Sequence, residues 1–238
     1  MSDGWGADLS QDVEIRQIRA IVPMKPIDES KSRLAPVLSN DLRALLSLGS
    51  LLRVIRAAAA TPEIFGVVVY GGDLAVQAAC ELVGVGWRED PGTGLNGCIK
   101  NAFDEAHKEG SEYGMFLPAD LPLTTPKDLT DLIQAGSRHS ITIVPDAADE
   151  GTNGLLTAFK DNFRTKLGEA SFSKHLDQAC ERGLDHLIHR SEHLGLDIDT
   201  GTDVDQLVLV SENLWDNLES EIRVAGLQEF LKIGKRTR

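Results

Sequence analysis

Short apolar runs closed by turn residues alternate along this chain with longer segments whose apolar positions recur every three or four residues. Gln17 to Met24 predicts a first strand, and Asn40 to Ala60 a long helix with Asn40 or Asp41 near its start. Ile64 to Tyr70 predicts a second strand closed by Gly71-Gly72, with Asp73 as N-cap of a helix to about Leu82. A short strand at Val85 to Trp87 follows, then the loop Glu89 to Gly94 and a helix from about Leu95 to Lys108. Tyr113 to Leu117 reads as a buried strand that Pro118-Ala119-Asp120-Leu121-Pro122 stops abruptly. Beyond Pro126 come a helix to about Gly136, a strand at Ser140 to Val144, a turn at Asp149 to Gly154, and an antiparallel run at Leu155 to Phe159. A helix from near Ser171 to Arg182, strands at His186 to His189 and Leu194 to Ile198, and one helix over Val204 to Lys232 complete the pattern. Leu207, Leu214, Leu218 and Leu227 are among the apolar positions of that last helix.

This alternation predicts an α/β fold, a three-layer α/β/α sandwich whose mostly parallel, Rossmann-like sheet carries helices on both faces. With 238 residues, 42% of them apolar, the chain is long enough for one sizeable core. Residues 16–238 are therefore expected to form a single domain behind a polar, disordered start at 1–15.

A formal charge of −13 argues against nonspecific binding of nucleic acid and against adhesion to an anionic membrane. No apolar run approaches the roughly 18 residues that span a bilayer, and the first residues lack the apolar core of a signal peptide. Cys80, Cys98 and Cys180 form neither a disulfide framework nor a close zinc-ligand pair, which fits a reducing cytoplasm. Met24 to Ala60 differs from the rest, with six basic residues against three acidic ones. Within it, Lys25, Lys31 and Arg33, with Ser30 and Ser32, lie in the proline-stiffened loop after the first strand, where they suit a triphosphate.

Asp120 stands at the exit of a buried strand, the edge of an open α/β sheet where ligands gather. A hard carboxylate there suits Mg²⁺ bound to substrate phosphates, although Asp is also an ordinary turn or cap residue. The phosphate-binding pattern G-x-x-x-x-G-K-[ST] is absent from the sequence.

Taken together, Val22-Pro23-Met24-Lys25, Lys31-Ser32-Arg33-Leu34, Gly94-Leu95-Asn96, Pro118-Ala119-Asp120-Leu121-Pro122, Gly151-Thr152-Asn153, Ser171-Phe172 with His175, and Asp197-Ile198-Asp199-Thr200 resemble one family in order. It is the guanylyltransferases of coenzyme F420 biosynthesis, called CofC in archaea and FbiD in actinobacteria, among the MobA-like nucleotidyltransferases. The resemblance implies that Lys25, Lys31, Ser32 and Arg33 hold the triphosphate of GTP, and that Gly94, Leu95 and Asn96 lie against its base and ribose. It implies Mg²⁺ as cofactor on Asp120, Asp197 and Asp199, with catalysis resting on Lys25, Lys31, Arg33 and Asp120. Thr152, Gly168 and Ser171 are implied to bind a phosphorylated three-carbon acid, with His175 either facing that acceptor or filling core.

The implied reaction transfers GMP from GTP to 3-phospho-D-glycerate, phosphoenolpyruvate or 2-phospho-L-lactate and releases pyrophosphate. The first of these is preferred because Cys98, standing where a small apolar residue is usual, can reshape the pocket for a longer acceptor. Gly201-Thr202 replaces the proline that commonly follows the Asp-x-Asp-Thr run, which leaves that loop's shape open. The alternatives are another MobA-like transferase and a nucleotide-binding regulatory module without turnover. The C-terminal helix is left with two uses, covering the core or pairing two chains as a homodimer.

Overall fold

The computed structural model describes residues 17–235, so the expected disorder of 1–15 lies outside the described residues. Seven strands form one sheet: β1 (Ile18–Met24), β2 (Ile64–Gly71), β3 (Gly86–Arg88), β4 (Tyr113–Phe116), β5 (Ile141–Pro145), β6 (Thr152–Ala158) and β7 (His186–Ile188). The helices are α1 (Asn40–Ala59), α2 (Leu74–Val83), α3 (Gly94–Lys108), α4 (Pro126–Gly136), α5 (Ser171–Glu181), α6 (Gly201–Val210) and α7 (Leu214–Val224).

The sheet order is β3-β2-β1-β4-β6-β5-β7, and every pairing is parallel except the two made by β6. Central strands are apolar on both faces, as Ala20, Ile21 and Val22 of β1 show, because helices cover both sides. One core cluster joins the sheet to α1, α2 and α4, a second joins it to α3 and α5, and a third lies between α1, α6 and α7. This is the three-layer, mostly parallel architecture expected from the alternation of elements.

The helix boundaries follow local chemistry. Asp73 caps α2 by accepting from the Ala75 and Val76 N–H groups, and Thr125 and Thr200 form capping boxes with Asp128 and Asp203. The cap of α1 is Ser39, just ahead of the expected Asn40 or Asp41.

Two expected elements are corrected. Leu194 to Ile198 is irregular chain rather than a strand; its apolar character comes from Leu194 and Ile198, both fully buried without joining the sheet. The expected helix over Val204 to Lys232 is two helices and a terminal 3₁₀ segment, Gln228–Lys235. The break falls at Ser211, which is extended at φ −134° and ψ 91°, in the polar run Ser211-Glu212-Asn213. The two pieces share one buried face, where Leu207, Leu214 and Leu218 pack with Leu34, Leu46 and Ile198. Packing of α7 on α1 is close enough that a Cβ on Gly49 would lie 2.9 Å from Leu218 Cβ. Arg53 and Arg56 of α1 both pair with Glu221 of α7. The C-terminal segment thus covers the core. Among the described residues no helix is long and apolar enough to cross a membrane.

Candidate active site

Strand order reverses between β1 and β4, and the loops leaving their carboxyl ends part there to form a crevice. It is a cleft of about 420 Å³ lined by Lys25 and Lys31 after β1, Asp120 after β4, Asp90 after β3, and Leu95 and Cys98 of α3. Two features shape its rim. Gly71 has φ +89°, and a Cβ there would lie 2.4 Å from the Met24 carbonyl oxygen, so only glycine lets β2 end against the loop that follows β1. Asp73, besides capping α2, accepts the Ile27 N–H at 2.8 Å and ties that loop to the helix. A cavity of about 470 Å³, lined in part by Ile27, Asp41, Leu74 and Phe230, shares this loop but contains no member of the acid cluster described next.

The carboxylates of Asp120, Asp197 and Asp199 each offer an oxygen, all within 4.8 Å of one another. Lys31 stands among them. Its backbone is left-handed at φ 55°, and its ammonium donates to Asp120 Oδ2 at 2.5 Å and to the Ile198 carbonyl, and lies 3.6 Å from Asp199 Oδ1. Burial pulls the Lys31 pKa down, but the three carboxylates outweigh it and the net shift is upward. Burial, with Asp120 next, pushes the Asp197 carboxyl up to about 6, opposed by a hydrogen bond from Asn153 Nδ2 at 3.0 Å. Three hard oxygen donors converging on one point fit an oxygen-ligated divalent cation such as Mg²⁺. Asp197 and Asp199 approach each other in the irregular chain that leads to the Thr200 cap.

A second group assembles beside the acids. Thr152 opens β6 and is buried, and its Oγ1 lies 2.9 Å from Nδ1 of the fully buried His175, one turn into α5 from Ser171. His175 Nε2 accepts the Lys166 N–H at 2.7 Å. Burial, and then Lys166, lower the His175 pKa to about 4, so the ring is neutral at ordinary pH. Asn96 of α3 grips the next residue, accepting the Leu167 N–H at 2.7 Å and donating to the Leu167 carbonyl at 3.0 Å. Gly168 follows with φ +115°, and its carbonyl accepts the Ser171 N–H at 3.1 Å. Ser171 is the first helical residue and not the cap; Ala170 holds that place without a side-chain cap bond. Thr152, Gly168 and Ser171 thus belong to one hydrogen-bonded cluster, joined to the acids because Asn153, the neighbour of Thr152, holds Asp197.

Placement of the remaining expected residues is uneven. Lys25, Lys31, Gly94, Leu95, Asp120 and Asp199 line the cleft, whereas Ser32 and Arg33 are exposed outside its lining. Arg33 reaches back to Asp199 at 3.0 Å with its side chain 76% exposed. Asn96 lies outside the cleft lining, and each polar end of its amide bonds Leu167. Asp90 and Asn153 were given no role from the sequence. The signals were present: an acidic pair directly after β3, and an amide next to the Thr152 of the same turn.

An open α/β sheet with an acid triad and a buried lysine at its topological switch point is the arrangement of a nucleotidyltransferase. The family model for CofC-like guanylyl transferases matches residues 18–217, and the chain belongs to this family. It is 33% identical over 188 residues to a phosphoenolpyruvate guanylyltransferase of Sphaerobacter thermophilus, covering 79% of this chain and 91% of the relative. It is 31% identical over 195 residues to a 2-phospho-L-lactate guanylyltransferase of Methanocaldococcus jannaschii, covering 81% and 83%. Among solved structures, a Desulfovibrio desulfuricans G20 protein described as a nucleotide-diphospho-sugar transferase shares the fold with a TM-score of 0.70 at 16% identity, over 90% of this chain and 98% of that one.

Proposed function

We propose that this enzyme transfers GMP from GTP to the phosphate of a phosphorylated three-carbon acid, releasing pyrophosphate, as a step of coenzyme F420 biosynthesis. The acceptor is 3-phospho-D-glycerate, phosphoenolpyruvate or 2-phospho-L-lactate, each a phosphate and a carboxylate on three carbons. The observation that carries this reading is the adjacency of Thr152 and Asn153, which joins an anion-suited cluster to the acid triad through the Asn153–Asp197 bond. Two phosphorylated substrates then meet across the triad.

The acceptor phosphate oxygen attacks the α-phosphorus of GTP, the bond from that phosphorus to the bridging oxygen breaks, and pyrophosphate leaves with the electron pair. An anionic oxygen needs no strong general base, so positioning and charge neutralisation lower the barrier. Mg²⁺ on Asp120, Asp197 and Asp199 supplies charge neutralisation to the phosphates when bound. Lys25 at the cleft mouth and Arg33 at its rim stabilise the departing pyrophosphate, and Lys31 holds the carboxylates together and shares in that stabilisation. Thr152, Gly168 and Ser171 receive the acceptor, offering two hydroxyls and the Gly168 N–H.

With the Asn96 amide engaged elsewhere, the group suited to guanine is Asp90. Its carboxylate lines the cleft, and the Gly92 N–H at 2.9 Å engages one oxygen, Oδ1. A carboxylate accepts from the ring N–H and exocyclic amine that adenine lacks on the corresponding edge. Cys98 lines the same cleft, and burial pushes its thiol up to about 11, so it shapes the pocket and does not act as a nucleophile.

Incubation of the protein with GTP and each of the three acids, followed by pyrophosphate release and product mass, tests the reading. A guanylylated diester is expected with at least one acid. No pyrophosphate with any of them would remove it.

A further inference from the structure

The acceptor cluster contains a buried imidazole that touches neither the acids nor the cleft lining, and its protonation is dictated by its neighbours. A backbone N–H can only donate, so the Lys166 N–H fixes a lone pair on His175 Nε2. The ring is neutral and fully buried, so its proton sits on Nδ1 and points at Thr152 Oγ1, 2.9 Å away. Thr152 is thereby the acceptor in that bond, and its own hydroxyl proton is left to point elsewhere. An oxygen that receives from one side and donates to the other is set up for an anion.

The same ring holds the chain that leads to Gly168. His175 takes the Lys166 N–H, Asn96 takes the Leu167 N–H and returns a bond to the Leu167 carbonyl, and Gln178 of α5 donates to the Arg164 carbonyl at 2.7 Å. Residues 164–167 thus carry four side-chain bonds, three of them on the two residues just before the left-handed Gly168. Such density on irregular chain serves to place what comes next.

We propose that His175 and Asn96 are positioning residues for the acceptor, His175 by holding Thr152 as a hydrogen-bond donor and both by clamping Lys166-Leu167 so that Gly168 meets the phospho-acid. The inference rests on the assignment of Thr152 and Gly168 to the acceptor. It also reverses the role of Asn96, from reading the nucleotide to supporting the second substrate.

Two amides divide the imidazole's functions. His175→Gln places an oxygen where Nε2 stood and keeps the bond from Lys166, but loses the Nδ1–H donor to Thr152. His175→Asn places a donor where Nδ1–H stood and loses the acceptor for Lys166. His175→Gln should raise the half-saturating phospho-acid concentration by about 3- to 10-fold, the worth of one neutral hydrogen bond. The value for GTP should change less than twofold. Because His175 acts through Thr152, the double variant with Thr152→Val should be no worse than Thr152→Val alone. His175→Asn and Asn96→Ala should likewise raise the value for the acid and spare that for GTP.

The outcomes separate. If Thr152→Val leaves the acid's half-saturation unchanged, the acceptor assignment fails and this inference falls with it. If Thr152→Val weakens the acid but the His175→Gln effect multiplies fully with it, or if Asn96→Ala harms GTP more than the acid, the positioning role alone is overturned. Should a variant not fold, the imidazole ¹⁵N spectrum of the unaltered protein at neutral pH decides. A neutral ring protonated at Nδ1 is expected, and one protonated at Nε2, or charged, overturns the proposal.

Discussion

Lys31→Met tests the arrangement of the acid cluster most directly, because it removes an ammonium and keeps most of the aliphatic stem. In the structure that ammonium lies 2.5 Å from Asp120 and 3.6 Å from Asp199, with the Lys31 side chain only 8% exposed and that of Asp120 26%. Breaking a well-buried ion pair costs about 3–5 kcal/mol, since the surviving charge loses its partner without regaining water. The partial exposure of Asp120 and the half-exposed Asp199 lower the expectation to about 2–3 kcal/mol. For a chain of this size each kcal/mol moves Tm by about 2–4 °C, so a fall of roughly 4–12 °C is expected in the presence of a chelator. Mg²⁺ should recover much of the loss, because a divalent cation on the same oxygens replaces the missing positive charge. Thermal unfolding of parent and variant, each with EDTA and with saturating Mg²⁺, is the assay. An unchanged Tm, or an equal fall in both conditions, would refute the view that Lys31 is the counter-ion of the triad.

Other expectations follow from the same geometry. Asp120→Asn keeps the side-chain shape and removes the charge, and should nearly abolish pyrophosphate release with the protein still folded by circular dichroism; turnover equal to the parent at matched Mg²⁺ would exclude the metal role. Asp90→Ala should lower GTP use far more than ATP use, with each lost bond to the charged carboxylate worth about 1.5–3 kcal/mol, and an unaltered GTP to ATP ratio of kcat/KM would place guanine recognition elsewhere. His175 takes up its proton near pH 6.5 when unfolded but only near 4 when folded, so the stability it contributes is complete above pH 6.5 and drains away as pH falls toward 4. Asp197 shifts the opposite way in both proteins, so the comparison of parent with His175→Gln isolates the histidine. The parent should lose about 2–3 kcal/mol more than the variant between pH 7.5 and about 4.5 in urea unfolding, and identical losses would contradict its buried, neutral state. Gly49→Ala should destabilise by about 1–3 kcal/mol through the clash with Leu218, read as a lower urea midpoint.

Parallel strands buried on both faces announce themselves as continuous apolar runs, and for that reason β1, β2 and β4 lay open in the sequence together with the strand exit that carries Asp120. Asp73 was legible as a cap because capping is local chemistry over a few residues. Two features misled. Leu194 to Ile198 has a strand's apolar spacing, but its ends anchor irregular chain in separate core clusters. The seven-residue spacing of Leu207 and Leu214 fits one helix face, and that face survives a break which Ser211-Glu212-Asn213 introduce. The Asn96 amide was unreadable for another reason. Its partner is 71 residues away, and nothing in Gly94-Leu95-Asn96 itself distinguishes an amide turned to a ligand from one turned to a loop.

Strand β6 runs against its neighbours, so its beginning, and not its end, reaches the catalytic edge beside β4. Thr152 and Asn153 are consecutive there, one bonded to His175 and the other holding Asp197. Side chains alternate along a strand, and a shift by a single residue would exchange their sides. Under the proposed function the register of β6 therefore acts as a common ruler for both substrates, and the acceptor pocket cannot slide along the sheet without carrying the Asp197 anchor with it. Asp146 sets the zero of that ruler by gathering the N–H groups of Ala148, Glu150 and Gly151 into the turn before the strand. On that proposal, selection for a longer or shorter acceptor is confined to side chains facing the pocket, while the length of this turn and the pairing of the strand stay fixed.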